Sequence, residues 1–136
     1  MNRPLRLLLA AAVLLPLAGC ASATAAPAAV TPCTALPPSG LPDSAGSLTE
    51  ANSGTFCLPL GGRVDVFLTA HPTGDRWQRP DDSAPSVLRG TTSGIMTPPV
   101  GVTVALYTAA APGTAVLSSD APSGRHWQVT LVVRRR

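Results

Sequence analysis

The polar stretch between residues 70 and 85 brings together side chains that could bind or react. It reads His71-Pro72-Thr73-Gly74-Asp75-Arg76-Trp77 and continues to Asp81-Asp82. Long loops on a rigid scaffold commonly carry binding residues. A hard cation needs several oxygen ligands at regular spacing, and the Asp-x-Asp-x-Asp-Gly pattern is missing here. We therefore interpret the stretch as a solvated loop and a candidate binding site rather than a metal site. Its candidate residues are His71, Pro72, Thr73, Gly74 and Trp77.

The sequence contains none of the common catalytic motifs. His71 and His126 are far apart in the chain and do not form a recognisable pair of base and nucleophile. A Gly-x-Ser-x-Gly motif, a His-Glu-x-x-His motif and a phosphate-binding glycine loop do not occur. We expect a protein that is not an enzyme and needs no cofactor.

The tryptophans Trp77 and Trp127 leave two interpretations open. Each could pack in the core with its indole nitrogen bonded to a carbonyl, or could stand exposed as a recognition anchor. Core packing is favoured. His126 precedes Trp127 and is expected to face solvent on the opposite side of the same strand.

The first twenty residues have the layout of a secretory signal. Arg3 and Arg6 precede an uncharged run from Leu7 to Gly19, which at about 20 Å is shorter than the roughly 30 Å hydrocarbon core of a bilayer. Leu17-Ala18-Gly19-Cys20 resembles the lipobox, in which the cysteine receives a diacylglycerol and the signal is cut before it. The alternative is an ordinary signal cut after an Ala-x-Ala site. We expect a signal peptide over residues 1–19 and lipidation of Cys20, which two or more acyl chains would make a stable anchor.

The remaining cysteines, Cys33 and Cys57, are expected to form a disulfide. Outside the cytoplasm an isolated pair in a small domain most often does so. A metal pair or a reactive thiol would need a third ligand or a neighbouring His, and none is nearby in the sequence.

Residues 20–46 are expected to form a lipid-anchored tether. The segment is rich in Ala, Ser, Thr and Pro, and Asp43 is its single charge. Such a composition buries too little apolar surface to fold. If Cys33 is held to the domain, the free part, residues 21–32, reaches roughly 20 Å as a coil and about 37 Å when extended. The predicted location is the outer face of the cell membrane.

Composition and charge exclude several classes of protein. The chain has 136 residues, enough for one domain, with ten Arg against seven acidic residues. With Arg3 and Arg6 in the leader, the net charge of the mature chain falls to +1, which does not indicate nucleic-acid binding.

Arg134-Arg135-Arg136 could contact anionic lipid or be a solvated strand end, and the solvated end is favoured. We expect a monomer.

Residues 47–136 are predicted to form an antiparallel β-sandwich. The alternation of apolar and polar residues predicts strands at Arg63 to Thr69, Gly101 to Thr108 and His126 to Val133. Weaker patterns of the same kind add four short strands. Seven strands in about ninety residues are typical of an immunoglobulin-like sandwich. The weaker strands are Ser47 to Ala51, Thr55 to Leu58, Ser86 to Arg89 and Thr114 to Ser119.

Leu60 to Leu68 together with His71 to Trp77 resembles the second strand and first loop of the chagasin-type inhibitors of cysteine peptidases. Pro72, Thr73, Gly74 and Trp77 match the Asn-Pro-Thr-Thr-Gly-Tyr-x-Trp loop of that family, with His71 in place of Asn, one residue deleted and no Tyr. A loose counterpart of the second loop lies at Gly90 to Gly94. At the third loop, the family has Arg-Pro-Trp, whereas this chain has Ser-Gly-Arg-His-Trp at Ser123 to Trp127.

The resemblance implies an immunoglobulin-like sandwich that inserts three loops into a papain-like active site. The chain as a whole also resembles small lipoproteins of high-GC Gram-positive bacteria, which implies a cell-envelope location. Taken together, the sequence predicts a membrane-anchored, non-catalytic binding or cell-envelope module whose ligand is unknown. Peptidase inhibition is the alternative, and an extracytoplasmic protein or peptidase is the expected partner.

Overall fold

The protein is an all-β, two-sheet sandwich of the immunoglobulin-like kind, as the strand pattern predicts. The computed structural model describes Gly19 and residues 29–91 and 97–136. Within these ranges the chain forms nine strands and no helix, so no helix there is long and apolar enough to cross a membrane. The strands are β1 (Thr34–Ala35), β2 (Gly46–Thr49), β3 (Gly54–Pro59), β4 (Arg63–Thr69), β5 (Asp81–Asp82), β6 (Leu88–Thr91), β7 (Val102–Ala109), β8 (Gly113–Asp120) and β9 (His126–Arg134).

Strands β1 to β6 lie alternately in the two sheets of the sandwich. One sheet has the order β1-β3-β9-β8-β5 and the other β2-β4-β7-β6. All seven predicted strands are present within a few residues of their predicted limits, and β1 and β5 are additional two-residue strands. Four strand pairs are antiparallel, as expected, whereas the pairs β1 with β3, β2 with β4, and β3 with β9 are parallel. For the first two pairs, the intervening strand lies in the opposite sheet, so the chain crosses over and returns in its original direction.

The core fills the space between the sheets. Strand β9 contributes Trp127, Val129, Leu131 and Val133, all nearly inaccessible to solvent. On β7 the core-facing residues are Thr103, Ala105, Tyr107 and Ala109, whereas Val102 and Val104 lie on the outer face and are partly exposed. The hydroxyl of Tyr107 donates to the carbonyl of Pro80 at 2.7 Å, and burial raises the pKa of this tyrosine.

Part of the segment that the sequence assigns to the tether, ahead of Ser47, contacts the sandwich. Thr34–Ala35 pairs with β3, and Leu36 packs against the core. Ser39 Oγ donates to Asp65 Oδ2 at 2.9 Å, so the chain near Ser39 covers the outer face of β4. The Pro-rich composition of this segment does not prevent it from packing, because the sheet supplies the apolar surface and polar partners that the segment lacks.

The predicted disulfide between Cys33 and Cys57 is present. The two cysteines are 24 residues apart in sequence and join the chain before β1 to the outer face of β3. The guanidinium of Arg134 lies against both sulfur atoms, and its Nη2 also donates to the carbonyl of Thr31 at 3.3 Å. The chain between residues 31 and 33 is therefore held beside the last residue of β9.

Candidate functional site

One end of the sandwich collects the connections that the sequence singles out. Thr69 at the end of β4 pairs with Val102 at the start of β7, and Asp120 at the end of β8 pairs with His126 at the start of β9. The connections that follow or precede these residues meet at this end, which we call the loop end. The loop end comprises residues 70–80, 97–101 and 121–125.

A hydrogen-bonded carboxylate joins two of these connections. Asp75 Oδ1 accepts from the backbone N–H of Ser123 at 2.8 Å, and Oδ2 accepts from its hydroxyl at 2.6 Å. Oδ2 also accepts from Arg125 Nε at 3.0 Å and lies 2.8 Å from its Nη2. The hydrogen bonds from Ser123, with a smaller contribution from Arg125, hold the pKa of Asp75 below its ordinary value of 3.8. Residues 71–77 and 122–125 are thus held together as one unit.

Trp77 is buried beneath the residues that Asp75 joins and is not exposed. Its side chain is only 5% accessible, and its indole nitrogen donates to the carbonyl of Thr69 at 3.1 Å. The Thr103 hydroxyl donates to the carbonyl of Trp77 at 2.6 Å, and the Arg125 guanidinium lies 4.8 Å from the centre of the indole ring. Of the two interpretations left open for Trp77, the structure has the buried one. The residue positions the loop and does not present a surface to a partner.

Trp127 is buried as well. Its side chain is 3% accessible, and its indole nitrogen donates to the carbonyl of Asn52 at 3.0 Å. The bond ties the β2–β3 turn to the loop end. Both tryptophans therefore act as core residues with satisfied N–H groups.

The exposed part of the loop end is a ridge formed by residues 71–74. His71, Pro72, Thr73 and Gly74 are all exposed, and the peptide bond between His71 and Pro72 is cis. A Cβ added to Gly74 would meet no heavy atom within 4 Å, so the ridge is open to solvent on that side. A shallow groove runs between this ridge and the β8–β9 turn. Its lining residues are His71, Pro72, Gly74, Asp75, Pro122, Ser123 and Arg125.

The ridge is fixed at its base by two further contacts. The backbone N–H of Ala70 donates to the carbonyl of Gly101 at 2.8 Å, and a Cβ at Gly101 would lie only 3.2 Å from Cγ2 of Thr73. The third connection therefore packs directly against the ridge. It also presents Val100, which is 90% accessible.

Glu50 approaches the ridge from the β2–β3 turn. Its Oε2 accepts from the backbone N–H of Thr69 at 2.9 Å, and its Oε1 lies 4.0 Å from His71 Nε2. The carboxylate thus binds the backbone N–H of Thr69, the last residue of β4, and also lies beside the exposed imidazole of His71.

His126 faces solvent, opposite Trp127, as predicted. Its Nδ1 lies 2.7 Å from Asp120 Oδ1, and its Nε2 lies 3.4 Å from Gln128 Oε1. The hydrogen bond to Asp120, followed by the one to Gln128, raises the pKa of His126 above its ordinary value of 6.5. The two histidines lie in separate environments at the loop end and share no hydrogen bond among the described residues.

The last residues of the long polar stretch lie outside the loop end. Asp81 and Asp82 form β5 at the edge of one sheet, where Asp82 Oδ1 accepts from the backbone N–H of Ala84 at 2.9 Å. Across residues 29–91 and 97–136, no three His, Cys, Asp or Glu side chains come close enough together to hold a metal ion. Cys20 and most of the Gly90 to Gly94 counterpart lie outside the described residues.

Sequence reasoning missed Ser123 and Arg125 as parts of this site. The two lie 48 and 50 residues after Asp75, their shared partner. Neither spacing nor composition signals a contact over that separation. The weak signal available was their position in the β8–β9 turn, which the family resemblance had marked as a third loop.

Comparisons with known proteins support the fold. The structure is similar to the crystal structure of the cysteine protease inhibitor EhICP2 from Entamoeba histolytica, with a TM-score of 0.51 and 17% sequence identity. The match covers 65% of this chain and 93% of that one. It is also similar to the solution structure of amebosin, with a TM-score of 0.46, 18% identity and coverage of 65% of this chain and 96% of that one. No protein-family model matches the chain, and no curated protein matches it significantly. At this level of identity, the likeness to EhICP2 shows a common fold.

Proposed function

We propose that this chain is a non-catalytic binding protein of the cell envelope that inhibits a papain-type cysteine peptidase through its loop end. The observation that carries the proposal is the Asp75 network, which holds the exposed ridge and the β8–β9 turn together as one unit. The likeness to a cysteine protease inhibitor adds support through the fold, since the match spans 93% of that inhibitor.

A rigid ridge is suited to inhibition because a partner gains affinity when the binding segment is already ordered. Ordering a flexible side chain on binding costs about 0.5–1.5 kcal/mol, so a fixed loop avoids much of that penalty. Here Asp75, Trp77 and Gly101 each hold the ridge from a different side. The ridge would enter the peptidase groove as a narrow wedge of backbone and block it without presenting a bond in the geometry needed for cleavage.

The differences from the chagasin-type pattern define what the partner would meet. His71 stands where the family has Asn, and the imidazole is exposed beside the Glu50 carboxylate. The β8–β9 turn presents Pro122, Ser123 and Gly124 instead of an Arg-Pro-Trp sequence, so it offers no exposed aromatic anchor. We therefore expect the main contact to come from the ridge, with the β8–β9 turn acting chiefly as its support.

Gly74→Glu tests the proposal, because the substitution changes the tip of the ridge without disturbing the fold. The position has open space around its Cβ and does not have a positive φ. A glutamate there would be buried without a partner in the groove of a peptidase. We expect inhibition of papain to weaken by about 100-fold or more, corresponding to about 2.7 kcal/mol, which is in the range of interface hot spots.

Gly40→Glu is the matched control. Gly40 is also exposed with open space around its Cβ, but it lies in the segment that covers β4 and not at the loop end. It should leave inhibition unchanged. Equal inhibition by wild type and Gly74→Glu, or equal loss in both variants, would contradict a binding role for the ridge.

The membrane anchor is the second part of the proposal. The lipobox-like sequence ending at Cys20 and the uncharged run before it support cleavage and lipidation at that cysteine. Residues 21–32 would then connect the anchor to a domain that begins at the Cys33–Cys57 disulfide. The inhibitor would act outside the cell membrane, on peptidases that reach the cell envelope.

A further inference from the structure

The end of the sandwich opposite the loop end carries a cluster of arginines. Arg134 ends β9, and Arg135 and Arg136 follow it, both exposed. The backbone N–H of Leu60 donates to the carbonyl of Arg134 at 2.9 Å, which places the β3–β4 turn at the same end. We call this region the basic end and define it by Arg63 and residues 134–136.

The charge of the basic end is carried chiefly by Arg135 and Arg136. Arg63 Nε lies 2.9 Å from the buried Oδ1 of Asp65, so its charge is largely balanced. Exposed Asp43 and Arg136 line one surface groove, so the Asp43 carboxylate offsets a second positive charge. The guanidinium of Arg134 lies against the disulfide and the Thr31 carbonyl, which hold it in place but do not offset its positive charge. The basic end therefore keeps a net positive charge, and Arg135 and Arg136 are exposed to solvent.

The chain that leads to Cys20 approaches the domain at this same place. Arg134 Nη2 donates to the carbonyl of Thr31 at 3.3 Å, and the disulfide at Cys33 fixes the next residues of the chain. Ten residues, 21–30, separate this point from the proposed anchor, and a chain of that length spans at most about 35 Å. An anchor attached beside the arginines would bring them within reach of the lipid headgroups.

We propose that the basic end is a docking surface for an anionic phospholipid bilayer and that this contact turns the loop end away from the membrane. The inference rests on the anchor in the proposed function and adds to it an orientation. Strand β9 runs from the loop end at His126 to the basic end at Arg134, eight residue steps that span about 27 Å. The ridge would therefore stand well above the headgroups, facing a peptidase that arrives from outside.

Vesicle binding by the mature chain, residues 20–136 with Cys20→Ser, tests this surface without the anchor. The comparison uses vesicles of phosphatidylcholine alone and vesicles that also contain phosphatidylglycerol. Each arginine near an anionic surface contributes about 1 kcal/mol, a factor of about 5 in the partition coefficient. Arg135→Gln with Arg136→Gln should therefore weaken binding to the anionic vesicles by about 25-fold, and added salt should weaken wild-type binding.

The matched control removes two exposed arginines from the opposite end of the sandwich. Arg76 and Arg79 are both exposed and lie within residues 70–80 of the loop end. Arg76→Gln with Arg79→Gln should leave vesicle binding within about twofold of wild type, a difference far smaller than the one expected at the basic end. Equal weakening by both pairs would show attraction by net charge alone and would overturn the docking surface. Failure of the wild-type chain to prefer anionic vesicles would overturn it as well.

Papain inhibition by the same variants separates this inference from the proposed function. Arg135→Gln with Arg136→Gln should inhibit papain as the wild type does, because the basic end is remote from the ridge. A vesicle difference in a chain that does not inhibit papain would support the docking surface and contradict the peptidase proposal. Papain inhibition by the wild-type chain, with no difference in vesicle binding between the variants, would support the peptidase proposal and contradict the docking surface.

Discussion

The buried carboxylate of Asp65 makes Arg63→Met the most informative stability variant. Asp65 is completely inaccessible to solvent. Its Oδ1 accepts from Arg63 Nε at 2.9 Å, and its Oδ2 accepts from Ser39 Oγ at 2.9 Å. Methionine keeps most of the aliphatic stem of Arg63 and removes the positive charge and its donors. The carboxylate would then remain buried with one hydroxyl as its partner.

The expected loss follows from the burial of each partner. Removing one partner of a buried ion pair costs about 3–5 kcal/mol. The Arg63 side chain remains 27% exposed, so water screens part of the interaction, and we expect the lower value of about 3 kcal/mol. Arg63 Nη2 also donates to the carbonyl of Pro42 at 2.8 Å, and this exposed bond is lost in the same variant. Against a typical total of about 5–15 kcal/mol for a domain, such a loss is large.

Urea unfolding followed by tryptophan fluorescence measures this loss as a shift of the midpoint at constant slope. Ser39→Ala should cost about 1.5–3 kcal/mol, the range for a hydrogen bond to a charged group. Arg89→Met is the control, because Arg89 is exposed and forms no ion pair among the described residues, and it should change stability by no more than about 0.5 kcal/mol. A loss below about 0.5 kcal/mol for Arg63→Met would refute the reasoning that the pair holds a buried charge.

Two other predictions concern Asp75 and Cys20. Because the folded-state pKa of Asp75 is lowered from 3.8, its contribution to stability is present above that value and is lost as the pH falls through the folded-state pKa. Asp75→Asn should therefore flatten the decline of stability with falling pH below 3.8, as measured by thermal unfolding across that range, and an unchanged decline would contradict the role of the network. Mass spectrometry of the native protein should find a lipid-sized increment on a peptide that begins at Cys20, and an unmodified amino terminus further along the chain would refute the anchor.

The strands could be predicted from the sequence because their alternation reflects burial between two sheets. Strand β4 has the predicted limits Arg63 and Thr69, and β9, which was predicted at His126 to Val133, buries Trp127, Val129, Leu131 and Val133. The parallel pairings could not be predicted, since a period of two shows that alternate residues share a face but not which strand is the neighbour.

The burial of Asp65 could not be predicted for a related reason. The alternation of β4 places Asp65 on the outer face, which the sequence marks as polar. Its burial depends on residues near Ser39, in a segment whose composition indicates an unfolded tether. A segment that folds only against an existing sheet carries little pattern of its own.

The candidate site was predicted in part. The sequence and the family resemblance located residues 71–77, and the structure places residues 71–74 of that loop at an exposed ridge. The burial of Trp77 was the favoured interpretation, and it changes the role of that residue from contact to support. The link from Asp75 to Ser123 and Arg125 joins residues about fifty positions apart, which only the packing of the two sheets brings together.

The central claim is that the loop end blocks the active site of a papain-type peptidase. A titration of active papain with the purified mature chain tests it most directly, with residual activity measured on a small peptide substrate. We expect a saturable loss of activity with one chain per enzyme, and no binding to papain whose active-site cysteine has been alkylated with a bulky inhibitor. Full activity at a large excess of the chain, or equal binding to the blocked enzyme, would contradict it.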